Sequence, residues 1–208
     1  LHVHIGSGAD PKMWGVMIEA ALEIAERMPD VTSLDIGGGY KVKRFSDEHE
    51  ADMIEIADVF SESLRAFAAR TGRKLELEIE PGTWLVAHAG VLLSEVVDIV
   101  DTGVDGHTFL RLDTGMNDII RPSMYGAQHE INILTNSGKE SDYVVVGHNC
   151  ETGDILTPMP SDPEGLEPRR MRVAAIGDIA IIQDAGAYCA NFAVKGYNSF
   201  PSAKEIIV

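Results

Sequence analysis

The sequence predicts a two-part chain, an α/β region over residues 1–86 followed by an all-β region over residues 87–208. Three observations carry that reading. Strand and helix patterns alternate three times in the first part, and each strand runs into glycine. Beyond about residue 86 the helical period gives way to strand after strand. The composition, 208 residues with 45% hydrophobic but only 6% aromatic side chains, suits a soluble globular protein with one good core or two modest ones.

The first unit opens with LHVHI (1–5), which runs into GSGAD. Pro11 then suits the first turn of a helix, where its missing N–H costs nothing, and Met13, Met17, Ala21 and Ile24 recur at helical spacing. The second strand, SLDI (33–36), runs into GGGY. Asp47 with Glu50 three residues on can form a capping box for a second helix, whose apolar stripe is Ile56, Phe60, Leu64 and Phe67 and whose end is Gly72. KLELEI (74–79) then enters EPG (80–82). This βαβαβ pattern implies parallel strands with right-handed crossovers.

In such architectures ligands sit at the carboxyl ends of the strands, where loops and helix starts present unpaired N–H groups. Gly6, Gly8, Gly37, Gly38, Gly39 and Gly82 clear side chains from all three ends, and Ser7 adds a hydroxyl. Any one of these glycines also fits an ordinary tight turn. Three successive glycine-bearing ends fit a phosphorylated cofactor.

The second part offers strands at 91–100, 108–112, 130–134, 143–147, 171–175 and 179–184, with Gly177 and Asp178 as a turn signal between the last two. Pro158, Pro160, Pro163 and Pro168 punctuate an acidic stretch before Arg169 that reads as an exposed loop.

A net charge of −16 and a pI near 4.7 argue against nucleic acid and anionic membrane surfaces, which need a basic footprint. The most apolar run, 90–100, is interrupted by Ser94, Glu95 and Asp98 and is too short to span a bilayer. Cys150 and Cys189 form neither a disulfide framework nor a metal-ligand spacing, so a reducing cytoplasm is the simpler assumption. His2 and His4 lie two apart on a strand, but no carboxylate or third histidine stands at suitable spacing, and no metal is expected. Trp14 and Trp84 read as core or domain-contact residues, and His129 as a packed or hydrogen-bonded one.

Three clusters in the second part can carry chemistry. DTGMNDIIRPSMY (113–125) sets Arg121 beside Pro122 with Tyr125 four residues on, and an arginine fork pairs bidentately with a carboxylate. The plain alternative is a strand end with a surface arginine. GHNCETGD (147–154) sets Cys150 and Glu151 in a loop, where a thiol can donate a proton and a carboxylate can hold an amine, or where a half-buried cysteine merely fills a turn. GAYCANFAVKGYN (186–198) places Tyr188 just after a strand at the start of a short helix, either as core or facing a ligand.

HIGSG, GGGY, EPG, DTGMNDIIRPSMYGAQH, CETGD and GAY, in this order over nearly the whole chain, resemble the fold-type III pyridoxal-phosphate amino-acid decarboxylases. The closest resemblance is to those that act on meso-diaminopimelate. It implies the last three βα units of an alanine-racemase-like (β/α)8 TIM barrel, followed by a C-terminal β-barrel or sandwich. It also implies a homodimer whose two subunits share each active site. His4 would stack on the pyridine ring, Ser7 would lie near the phosphate, and Gly37, Gly38 and Gly39 would give it N–H bonds. Glu80, in the cofactor-binding Glu80-Pro81-Gly82 turn, would pair with the pyridine nitrogen. Arg121, Tyr125 and Glu151 would hold substrate, Tyr188 would contact cofactor phosphate and substrate, and Cys150 would donate a proton in the neighbouring subunit's site.

The chain departs from the family pattern in three places. None of Lys12, Lys41, Lys43, Lys74, Lys139, Lys195 or Lys204 sits in the family's Schiff-base motif, and the chain begins within a barrel strand and stops short of the family's terminal segment, so it reads as a fragment. Such a piece is expected to expose strand edges and apolar helix faces and to associate. Thr83 stands where an arginine usually follows EPG, and GHN precedes Cys150 where a glycine-proline pair is common. Related ornithine decarboxylases place an acidic residue after the tyrosine matching Tyr125, and here that position is Gly126. With Arg121 this favours a substrate bearing a second carboxylate, meso-diaminopimelate giving L-lysine. Another basic amino acid, carboxynorspermidine, an unusual D-amino acid and a catalytically inactive regulatory relative stay open, and a phosphate-binding α/β module of another family is a weaker reading.

Overall fold

A computed structural model describes all residues, Leu1–Val208, and the chain divides into two compact units, Leu1–Leu85 and Val86–Val208. In the first, α1 (Pro11–Glu26) starts where Asp10 accepts a hydrogen bond from the Lys12 N–H at 2.9 Å, with Pro11 in the first turn. Its buried face is Trp14, Met17, Ile18, Ala21, Leu22 and Ala25. The expected stripe is therefore rotated: Met13 and Ile24 are 57% and 44% exposed. With Val3, Ile5, Val16 and Ala20 they line an apolar groove of about 330 Å³. Both faces of α1 carry apolar residues, so spacing alone did not select the one that packs on the sheet.

Short β1 (Ser33–Asp35) and β2 (Glu76–Glu78) pair in parallel, Leu34 opposite Leu77. The expected strand at 1–5 shortens to a parallel bridge between His2 and Asp35, held by Val3 N–H to Asp35 O at 2.9 Å and Asp35 N–H to Leu1 O at 2.8 Å. Between β1 and β2 runs α2 (Met53–Thr71), capped by Asp52 and not by the expected Asp47 and Glu50. Asp52 takes the N–H groups of Ile54 and Glu55, whereas Glu48 binds the N–H groups of Arg44 and Phe45 in the loop before the helix. Gly72 closes α2 in the left-handed conformation, φ 72°. Ile56, Phe60 and Phe67 of α2 pack with Trp14, Ile18 and Leu34 into one core, where truncating either phenylalanine to alanine costs about 3–5 kcal/mol. β2 is exposed along its length, and α3 (Gly82–Val86) follows it.

The second unit is built on a six-stranded sheet. Its strands are β3 (Leu92–Asp101), β4 (Thr108–Leu112), β5 (Ile131–Leu134), β6 (Glu140–Val146), β9 (Arg169–Arg172) and β10 (Ile179–Ile182). They lie in the order β5-β10-β3-β4-β6-β9, all antiparallel except the β4–β6 pair. Edge strands β5 and β9 touch, so the sheet nearly closes into a barrel around Val96, Leu110, Leu112, Val145, Ile182 and Leu156. Gly177 turns between β9 and β10 at φ 92°, but these two strands pair with others and make no hairpin.

The short helix α4 (Arg121–Tyr125) sits between β4 and β5. The proline-rich stretch holds a hairpin and not a bare loop: β7 (Pro158–Met159) pairs antiparallel with β8 (Asp162–Leu166). Proline density hides it in the sequence, because proline cannot donate to a strand ladder and is confined to edges and strand starts.

Candidate active site

In the first unit, close-packed glycines shape the carboxyl ends of the pairing segments. A Cβ on Gly38 would lie 2.3 Å from Glu80 O, and one on Gly39, whose φ is +93°, would lie 1.9 Å from Gly6 O. Gly37 N–H donates to Asp35 Oδ1 at 2.8 Å and Gly38 N–H to His4 Nδ1 at 3.2 Å, so His4 is held against the glycine run. Backbone bonds from Gly8 N–H to Gly39 O and from Glu80 N–H to Gly37 O, both 2.9 Å, bring GSG, GGG and EPG together. The side chains of His4, Ser7 and Glu80 remain exposed.

Sequence spacing gave His2 no carboxylate neighbour, yet the fold supplies two. Donor atoms of His2, Asp35 and Glu80 lie within 4.8 Å of one another, with His2 Nε2 3.4 Å from Glu80 Oε2. These residues lie 33 and 45 positions apart, so only strand pairing unites them.

In the second unit Arg121 opens α4, so it is not a bare strand end. Its Nη1 lies 2.7 Å from His129 Nε2. Burial pulls the guanidinium below its ordinary value, and the nearby Cys189, Tyr125 and Asp184 oppose that shift. Tyr125 is 55% and Tyr188 53% exposed, and Phe192 lies between them, stacked on Tyr125 at 6.5 Å and edge-on to Tyr188 at 6.1 Å. Tyr188 starts no helix. It lies in a run of turns with φ 55°, and Asp184 before it has φ 59° and meets His88 Nδ1 at 2.5 Å. Left-handed non-glycine residues this close together mark a backbone that its surroundings hold in place.

Cys150 and Glu151 form a second group on an exposed loop. Asn198 accepts the Cys150 N–H at 2.7 Å, and Tyr197 donates to Glu151 Oε2 at 3.1 Å, a bond that raises the tyrosine pKa. Buried Asp154 anchors this loop. It accepts from Met116 N–H at 2.7 Å and from Asn149 N–H and Nδ2 at 2.8 Å, joining the loop to the DTGMND segment that leads to Arg121. Burial raises the Asp154 pKa against these bonds.

Residues 1–87 match the family model described as pyridoxal-dependent decarboxylase, pyridoxal binding domain, and residues 83–186 match the same family's C-terminal sheet domain. The chain belongs to the pyridoxal-dependent decarboxylases. It is similar to a relative named diaminopimelate decarboxylase from Buchnera aphidicola subsp. Schizaphis graminum, 33% identical over 100% of this chain and 51% of the relative. A solved diaminopimelate decarboxylase superposes with a TM-score of 0.86 at 31% identity, covering 95% of this chain and 48% of that one. The Helicobacter pylori diaminopimelate decarboxylase, solved with L-lysine, matches with a TM-score of 0.78 at 29% identity over 95% of this chain and 46% of that one. The chain thus spans about half the length of the curated relatives it matches.

His129, Phe192, Asp154 and Asp184 stand beside the expected site residues, and the sequence assigned none of them to the site. His129 stands in the GAQH run just beyond Tyr125, and Asp154 closes CETGD, so motif boundaries held a signal for both. Phe192 and Asp184 carried none beyond their distance from Tyr188.

Proposed function

We propose that the complete protein is a pyridoxal-phosphate-dependent carboxy-lyase that converts meso-diaminopimelate to L-lysine. The observation that carries the cofactor reading is the glycine cradle. Cβ atoms at positions 38 and 39 would collide with backbone at 2.3 and 1.9 Å, and exposed His4, Ser7 and Glu80 stand around it. Such a cradle, with a carboxylate for a pyridine nitrogen and an imidazole for a ring face, fits the cofactor.

When bound, pyridoxal phosphate acts as the electron sink for the carbanion left by departing CO2. Glu80 would hold the proton on the pyridine nitrogen, His4 would stack on the ring, and Ser7 with Gly37, Gly38 and Gly39 would seat the phosphate. Gly37 and Gly38 already donate to Asp35 and His4, so seating through their N–H groups requires those bonds to be shared or exchanged. Pro81 and Gly82 shape the turn behind Glu80.

Arg121 would pair with the distal carboxylate, Tyr125 and Glu151 would complete the substrate grip, and Tyr188 would touch substrate and phosphate. Cys150 would deliver the proton from its Sγ to the α-carbon. Exposure of Cys150 and Glu151 suits service in the partner's site of a homodimer, so the working form would be a homodimer, and the two free cysteines suit a reducing cytoplasm.

The similar relatives named diaminopimelate decarboxylase and the lysine bound to the Helicobacter pylori protein support this substrate. The complete reading frame, supplied with pyridoxal phosphate, should release CO2 and lysine from meso-diaminopimelate and act far more weakly on L-ornithine and L-lysine. Equal turnover of the three, or preference for a substrate without a second carboxylate, would overturn the substrate assignment.

A further inference from the structure

His129 is fully buried, and both of its ring nitrogens are engaged. Nδ1 lies 2.8 Å from the carbonyl of Gln183, which can only accept, so Nδ1 carries the hydrogen. Nε2 lies 2.7 Å from Arg121 Nη1, and a guanidinium can only donate, so Nε2 carries the lone pair. Two one-way partners therefore define a single neutral tautomer. The backbone of His129 is held as well, since Arg169 Nη1 donates to its carbonyl at 2.9 Å.

Arg121 gains an orientation from this arrangement. One Nη is spent on a buried, immobile acceptor, which leaves the rest of the fork in a defined plane for an incoming carboxylate. We infer that His129 is a positioning residue for Arg121, acting as a tautomer-locked acceptor that presets the arginine fork for the distal carboxylate of the substrate. This rests on the reading of Arg121 given above.

Two isosteric replacements separate the ring's two bonds. The amide of asparagine reaches the place of Nδ1, so His129→Asn keeps a donor for Gln183 O and removes the acceptor for Arg121. The amide of glutamine reaches the place of Nε2, so His129→Gln keeps an oxygen for Arg121 and removes the Gln183 bond. In the complete protein loaded with pyridoxal phosphate, His129→Asn should raise KM for meso-diaminopimelate about tenfold or more, the usual worth of a hydrogen bond to a charged group, with kcat changed about twofold. His129→Gln should hold KM within about threefold of the parent.

Calorimetric titration of the same variants with D-lysine, which keeps the carboxylate at the reacting centre and lacks the distal one, should show little change in affinity for either. Equal KM changes in the two variants, or a D-lysine affinity that falls as steeply as that for the dicarboxylate, would reduce His129 to a structural role and overturn the proposal. Arg121→Lys is the parallel control. If it leaves KM unchanged, the reading of Arg121 fails and the inference fails with it. If it raises KM while His129→Asn does not, the inference alone fails.

Discussion

Asp154 and Gly147 are packed so closely that a Cβ on the glycine would lie 2.2 Å from the Asp154 carboxylate. That carboxylate is nearly sealed from solvent and ties the Cys150 loop to Met116 and Asn149. Asp154→Ala strands three part-buried donors, so we expect about 2–3 kcal/mol of lost stability in urea denaturation of the complete protein. An unchanged midpoint would show that the loop is held by other contacts.

Phe192 joins Tyr125 to Tyr188 by two ring contacts. Aromatic pairs of this kind contribute about 0.5–1.5 kcal/mol each. Phe192→Leu keeps the bulk and loses the ring geometry, so we expect kcat/KM to fall about 2–10-fold while the melting temperature stays close to the parent. A full-rate variant would show that Phe192 does not position the two tyrosines.

Glu48 supplies a test in acid. Burial raises its pKa, but the N–H groups of Arg44 and Phe45 and the Lys41 ammonium at 3.1 Å outweigh that and leave it below the ordinary value. A carboxyl with a depressed folded pKa stabilises above its unfolded pKa and loses that contribution as pH falls through the folded value. We therefore expect Glu48→Gln to be less stable than the parent at pH 7. The gap should close as pH falls below about 4. A gap that is constant with pH would contradict this.

Tyr40 tests the alkaline side. Its hydroxyl is buried without a protein hydrogen-bond partner, its ring stacks on Trp14 at 4.6 Å, and burial followed by Asp35 raises its pKa to about 12. The unfolded chain ionises first, near 10.0, so the wild type should lose stability as pH rises from 10.0 towards 12. Tyr40→Phe should remove that loss, and at pH 7 it should be neutral or up to about 1 kcal/mol more stable. A marked destabilisation at pH 7 would reveal a hydroxyl contact.

Local signals were legible in the sequence and distant ones were not. The Gly72 stop, the buried stripe of Ile56, Phe60 and Phe67, and the bounds of β4 all follow from neighbours within one turn or strand. The buried face of α1 was misread because Met13 and Ile24 keep the same period as Met17 and Ala21. Motifs named Arg121, Tyr125 and Tyr188, but not what holds them. The His129 contact to Gln183 spans 54 positions and the Asp154 contact to Met116 spans 38, distances at which linear spacing carries no information.

The most direct test is release of labelled CO2 from carboxyl-labelled meso-diaminopimelate by the complete reading frame, with pyridoxal phosphate present, in the parent and in Glu80→Ala. We expect release matched one-to-one by lysine in the parent. In Glu80→Ala, with no carboxylate to keep the pyridine nitrogen protonated, release should fall by about 100-fold or more while cofactor is still bound by absorbance. Absence of release from the parent, or full-rate release from Glu80→Ala, would contradict the account.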